Sequence, residues 1–256
     1  VTRLAAVVFD VDGTLVDSER DGHRVAFNAA FAEAGLPDRW DVATYGRLLP
    51  IAGGARRLAS WFENTGRTPA EARSLAEQLH ARKTEIMRGL IADGRVQARP
   101  GVHRLLDDLE AAAIPVHVAT TGTRAWVEPL LERVFGPRFH TVVTGTEVPE
   151  LKPSPAVYLE VLRRTGCPAD RTVAVEDSAN GVKAAVAAGL RCLATYNPYT
   201  RDDDLSGATL VAGGLEDPAL VAWFRRHTSA SRAEGPQAPK DLRRGAPAAG
   251  PREEGR

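Results

Sequence analysis

The 256-residue chain reads as an α/β protein, a doubly wound parallel sheet with an all-helical cap inserted after the first strand. Short apolar runs recur along the sequence, helical patterns separate them, and residues 17–96 break the alternation with helices alone. Strands that alternate with helices bury both faces of a sheet, and that arrangement is parallel. The first run, Leu4 to Phe9, ends in Asp10-Val11-Asp12-Gly13-Thr14 and predicts a buried strand entering a glycine turn. Within the insert, Phe27 and Phe31 share a helix face. Thr68-Pro69-Ala70-Glu71 has the form of a capping box, opening a helix with Leu75, Leu79, Ile86 and Leu90 on one side. Beyond it, Val102, Leu105, Leu106 and Leu109 mark a helix before a strand at Val116 to Ala119. Further strands are predicted at Thr141 to Val143, Thr172 to Val175, Cys192 to Thr195 and Thr209 to Val211. Ser154-Pro155 reads as a helix cap followed by proline at the first helical position, and another helix runs from near Ser178 to a stop at Gly189. The domains predicted are a core of residues 1–16 and 97–228, a cap of 17–96, and a disordered tail of 229–256, which holds four Pro, four Gly and one large aliphatic, Leu242.

Composition narrows the function. Lys and Arg number 33, and so do Asp and Glu, so no net field draws the chain to nucleic acid or an anionic membrane. No run approaches the ~18 apolar residues of a membrane span, and the run at Leu4 is too short and too soon acidic for a signal sequence. The expectation is a cytoplasmic monomer acting on a small molecule. Cys167 and Cys192 lack metal-ligand spacing and read as small buried thiols.

The chemistry lies at strand ends. Asp10 and Asp12 follow the first strand, Glu176 and Asp177 the Thr172 to Val175 strand, Thr120 and Thr121 the Val116 to Ala119 strand, and Lys152 precedes a helix. In an open parallel sheet these ends converge on one edge, where ligands bind. Carboxylates there offer hard oxygens suited to Mg²⁺. A lysine and a hydroxyl offset and orient a phosphoryl group, and one carboxylate can attack phosphorus.

These clusters, in this order, resemble the four motifs of the haloacid dehalogenase-like phosphohydrolases: Asp10-Val11-Asp12-Gly13-Thr14, then Thr120, then Lys152, then Glu176-Asp177-Ser178 with Asn180-Gly181. The resemblance covers about residues 4–215 and implies a Rossmann-like core. It also implies that Asp10 is the nucleophile, forming an aspartyl-phosphate, and that Asp12 protonates the leaving oxygen and then activates water. Mg²⁺ would be held by the Asp10 carboxylate, the Asp12 backbone carbonyl and Asp177, with Glu176 acting through water or orienting the shell. Thr120 and Lys152 would hold the phosphoryl group, and Thr121 is a further candidate there.

The helical insert matches the group that includes β-phosphoglucomutase, phosphoglycolate phosphatase and the CbbY-like sugar-bisphosphate phosphatases. Three features resemble the last of these: Glu19 where the cap begins, Gly53-Gly54 followed by Arg57, and His80-Ala81-Arg82-Lys83-Thr84. Glu19 would hold substrate hydroxyls, and Arg57, His80 and Lys83 a second phosphate. The implied reaction is cleavage of xylulose 1,5-bisphosphate to xylulose 5-phosphate; from the topology, closure of the cap is expected to gate the site. The chain departs from the CbbY-like pattern at Leu49-Pro50-Ile51-Ala52, where threonines are usual. β-Phosphoglucomutase and phosphoglycolate phosphatase stay as alternatives, although Ala55 stands where the mutases place an arginine. A receiver-like phospho-accepting module is the non-enzyme alternative, and about 80 residues over the aspartate argue against it.

Overall fold

A computed structural model describes residues 2–229; beyond Ser229 the predicted tail lies outside the described residues. The sheet has six parallel strands, β1 (Ala6–Phe9), β2 (Val116–Ala119), β3 (Thr141–Val143), β4 (Thr172–Glu176), β5 (Arg191–Thr195) and β6 (Leu210–Ala212), in the order β3-β2-β1-β4-β5-β6. The predicted strands thus exist, with ends shifted by up to two residues. Alternation divides the side chains between two cores. Val7, Phe9, Val118, Val173 and Val175 face α5 (Val102–Ala111), α6 (Arg124–Phe135) and α9 (Pro218–Thr228), while Val8, Ala119, Ala174 and Cys192 face α7 (Ala156–Thr165) and α8 (Ala179–Ala187). The sheet is doubly wound, as the sequence predicts. α7 starts one residue later than predicted: Pro155 is its cap residue, while Ser154 Oγ accepts from the Ala156 backbone N–H at 3.4 Å.

β1 lies between β2 and β4, with Phe9 level with both Val118 and Val175. The chain builds outward through β2 and β3, then returns to place β4 on the other side of β1. The β1/β4 boundary is therefore the switch point, where a crevice opens beyond the strand ends.

Residues 17–96 contain no strand. A π-helical turn (Glu19–His23) leads into α1 (Arg24–Glu33), followed by α2 (Val42–Leu48), α3 (Gly54–Asn64) and α4 (Pro69–Ala92). Phe27 and Phe31 both pack on Trp40, at 4.8 and 5.0 Å between ring centroids, and Tyr45, Leu58 and Phe62 complete a buried cluster. The Thr68–Glu71 capping box forms. The buried stripe of α4, however, is Ala72, Ala76, Leu79, Lys83, Met87 and Ile91, with the predicted Leu75, Ile86 and Leu90 only partly buried. One face serves two neighbours: small alanines let the first half approach α3 and α1, while Met87 and Ile91 join the core around α6. Lys83 is a cation inside that stripe, only 4% exposed.

Candidate active site

Glycine lets the acids approach. Gly13 has φ +78°, and a Cβ there would stand 2.3 Å from Asp177 Oδ2; a side chain would be strained and would displace the carboxylate. In the first turn of α8, a Cβ on Gly181 would lie 1.9 Å from Glu176 Oε2. The consequence is that Asp10, Glu176 and Asp177, all buried, bring carboxylate oxygens within 4.8 Å of one another.

One ammonium is shared among them. Lys152 Nζ donates to Asp10 Oδ1 and Glu176 Oε1, each at 2.6 Å, and to the Ala119 carbonyl at 2.9 Å. All three of its N–H groups are occupied by protein. The Tyr158 hydroxyl also donates to Glu176 Oε1, at 2.6 Å, and Asn197 Nδ2 donates to Asp177 Oδ2 at 2.6 Å. Burial raises the Asp10 carboxyl well above the usual range; Lys152 opposes this, Glu176 and Asp12 reinforce it. Asp177 is raised by burial and by its acidic neighbours Asp10 and Glu176. Three carboxylates against one ammonium lack positive charge, and their hard oxygens fit a divalent cation.

Asp12 faces the other way, toward the insert. Its Oδ1 takes His23 Nε2 at 2.9 Å and the Ser18 hydroxyl, and Lys83 Nζ meets His23 Nδ1 at 2.7 Å. An ammonium only donates, so Nδ1 is the acceptor and Nε2–H the donor to Asp12. Burial works to raise Asp12, but His23, Ser18 and the Lys83 charge outweigh it and hold its carboxyl below the ordinary value.

Two adjoining spaces open from here, with Asp12, Glu19, Gly53, Arg57 and Thr121 on their common border. The first, about 220 Å³, lies over Asp10, Lys152 and Asp177. The second, about 240 Å³, runs under the insert past Arg56, His80 and Lys83. Gly53, at φ +89°, caps α3, and Gly54 packs against the His80 ring. Burial pushes His80 down to about 4, so it is neutral at pH 7, while Arg57 and Lys83 carry charge. Thr120 is wholly buried behind Thr121, its Oγ1 accepting from the Gly122 N–H at 3.0 Å. Of the predicted site residues, Thr120 and Glu176 are buried and line neither space, and the others line one or both. Sequence reasoning missed Ser18, His23, Tyr45, Tyr158 and Asn197.

An acidic cluster at the switch point of an α/β sheet, an aspartate beyond β1 and a buried lysine suit phosphoryl chemistry, and the family match and relatives make the chain a phosphatase. Residues 4–189 match the haloacid dehalogenase-like hydrolase model, and the chain belongs to that family. It is 42% identical over 209 residues to "Protein CbbY" of Rhodobacter capsulatus, covering 80% of this chain and 91% of that one. It is 37% identical over 223 residues to a "CBBY-like protein" of Arabidopsis thaliana, covering 84% and 70%. Its fold matches a crystal structure of a CbbY mutant from Rhodobacter sphaeroides in complex with xylulose-(1,5)bisphosphate, with a TM-score of 0.77 and 38% identity over 83% of this chain and 95% of that one. Among the described residues, no helix is long and apolar enough to cross a membrane.

Proposed function

We propose that this chain is a Mg²⁺-dependent phosphatase that cleaves a sugar bisphosphate, xylulose 1,5-bisphosphate, to xylulose 5-phosphate. The observation that carries this reading is the pair of joined spaces, one holding the carboxylates and Lys152, the other Arg56 and Lys83, with Arg57 on the border between them. A substrate with a phosphate at each end fits that division of charge, and the relative bound to xylulose-(1,5)bisphosphate supports it.

Asp10 Oδ attacks phosphorus, and the bond from phosphorus to the sugar oxygen breaks. Asp12, protonated when substrate is bound, gives its proton to that oxygen, and the Nε2–H of His23 holds its carboxyl in place. In the second half, Asp12 removes a proton from water, which displaces Asp10 and leaves inorganic phosphate. Asp10, Asp177, Glu176 and the Asp12 carbonyl would hold Mg²⁺, whose charge offsets that of the phosphoryl oxygens. Lys152 keeps Asp10 in line, with Thr121 beside the phosphoryl group and Thr120 behind it. The helices of residues 17–96 act as a closing cap: Asn180 Nδ2 donates to the Pro50 carbonyl at 3.4 Å, and Tyr45 meets Tyr199 edge-on.

The test is phosphate release from xylulose 1,5-bisphosphate, β-glucose 1-phosphate and 2-phosphoglycolate with Mg²⁺. Preference for the bisphosphate is expected; glucose 6-phosphate formed from the second would make the chain a mutase.

Two further outcomes follow from the charges. Mg²⁺ at about 100 times its Kd is expected to add ~2.7 kcal/mol of stability, roughly 5–10 °C in Tm. Thermal melts with Mg²⁺ and with chelator check this, and Asp177→Asn should lose most of the gain. The second outcome concerns pH. Burial pushes Lys83 down to about 8, with Arg57 adding to it and Glu19 and Asp12 opposing. His23 and the Phe27 ring lie against it, and His80 is near enough to feel its charge. Its charged form attracts the distal phosphate, so kcat/KM for the bisphosphate should fall as pH rises through about 8. Lys83→Arg, which stays charged, should flatten that limb.

A further inference from the structure

Tyr45 is wholly buried and borders neither space, yet its hydroxyl is used twice. It donates to Glu19 Oε2 and accepts from Arg57 Nη1 at 3.0 Å. Arg57 is itself fixed, with Nε on the Leu48 carbonyl at 3.1 Å and Nη2 on the Ile51 carbonyl at 3.4 Å. The Tyr45 ring is held by Trp40 and Phe27 on the cap side, and Tyr199 of the core lies edge-on to it at 6.0 Å. The oxygen therefore has little freedom. Burial and the neighbouring Glu19 charge push the phenol well above its ordinary value, so it remains a donor at any working pH.

Glu19 gains a defined direction from this. One carboxylate oxygen is held from behind, and among the described residues the other takes no hydrogen bond. The side chain stands on the border between the two spaces, where the middle of a bisphosphate would lie. A carboxylate there repels phosphate and accepts from hydroxyls, so it selects for the polyol stretch between two phosphates. Released from Tyr45, Glu19 would be free to turn onto Lys83 or Arg57 and weaken their attraction for the distal phosphate.

We propose that Tyr45, anchored by Arg57, is a positioning residue that aims the Glu19 carboxylate at the hydroxyls of the substrate and thereby sets the preference for a sugar bisphosphate. This rests on Glu19 meeting substrate, as in the function proposed above.

The test is a double-mutant cycle on kcat and KM for xylulose 1,5-bisphosphate with Mg²⁺, using Tyr45→Phe, Glu19→Gln and the pair. Tyr45→Phe keeps the ring in its packing. It is expected to raise KM about tenfold with kcat changed less than threefold, as for lost uniform binding. In the Glu19→Gln background the same change should cost less than about twofold, because the group through which it acts is already altered. Losses that multiply in full would show that Tyr45 acts through packing alone, and no KM change in Tyr45→Phe would show no role; either overturns the inference and leaves the Glu19 assignment standing. A silent Glu19→Gln would overturn that assignment and this inference together, as would a wild-type chain that does not turn over the bisphosphate.

Discussion

Asp10→Asn is expected to lower kcat by about 10⁴-fold or more while the protein melts no lower than wild type. An amide of the same shape does not form the acyl-phosphate, and removing a covalent nucleophile forfeits most of the chemical acceleration. Stability moves the other way because the charge of Asp10 is unfavourable where it sits. Burial raises its carboxyl, Glu176 and Asp12 raise it further, and Lys152 only partly offsets them. An acid whose folded pKa is raised contributes stability below its unfolded pKa and loses it as pH rises toward the folded value, so the ionised side chain weakens the fold. The neutral amide relieves that repulsion, and its oxygen still accepts from Lys152, whose Nζ lies 2.6 Å from the present carboxylate oxygen. Phosphate release, calorimetry with the bisphosphate and thermal melts separate the parts: lost turnover, retained binding, and an equal or higher Tm. Activity within about tenfold of wild type would place the attacking group elsewhere.

What the sequence made legible was chemistry carried by short local patterns. Asp10 directly follows β1 and Glu176 ends β4, so an apolar run followed by an acid predicts both the strand and the acid at its end. Hydrogen-bonded register between β1 and β4 then brings them together, as the strand ends of an open parallel sheet converge on one edge. Contacts across elements left no such trace. His23 is a lone histidine with no ligand spacing, and it matters only because α4 brings Lys83 to its Nδ1. Tyr45 looks like any core aromatic until Glu19 and Arg57 close on its hydroxyl, and Asn197 gains its place only by reaching Asp177. One signal was present in the pattern itself. Ala72, Ala76, Leu79, Lys83, Met87 and Ile91 form one helical stripe, and a lysine on a stripe otherwise apolar marks a buried charge that needs a task. The neighbouring leucines concealed that stripe, because the face of a helix shared by two cores is wider than one line of large residues.

Lys152→Met is expected to lower kcat by about 10²–10³-fold and, unlike Asp10→Asn, to destabilise the fold. Asp10 and Glu176 share this ammonium, both contacts at 2.6 Å. Removing it leaves two buried carboxylates without their common partner, a change that costs ~3–5 kcal/mol when a buried pair is broken. The cost should depend on pH. Burial disfavours the charge of Lys152, but Asp10 and Glu176 outweigh it and hold the ammonium protonated beyond the ordinary lysine range. A base raised in this way contributes its stability in full below its unfolded pKa of about 10.4 and loses it only above, so between pH 5 and 8 the lysine itself contributes a constant amount. The variation therefore comes from the acids. With Lys152 gone, Asp10, already raised by burial, rises further, so lowering the pH protonates it more readily than in wild type and removes part of the repulsion. Urea unfolding of wild type and variant in chelator should show a larger difference at pH 8 than at pH 5. Adding Mg²⁺ at pH 8 should narrow that difference without restoring turnover, because a cation among the carboxylates replaces the charge of Lys152 but not its hold on Asp10. An equal loss at both pH values would mean that Lys152 stabilises through the packing of its alkyl chain, beside Tyr158, and not through the acids it joins.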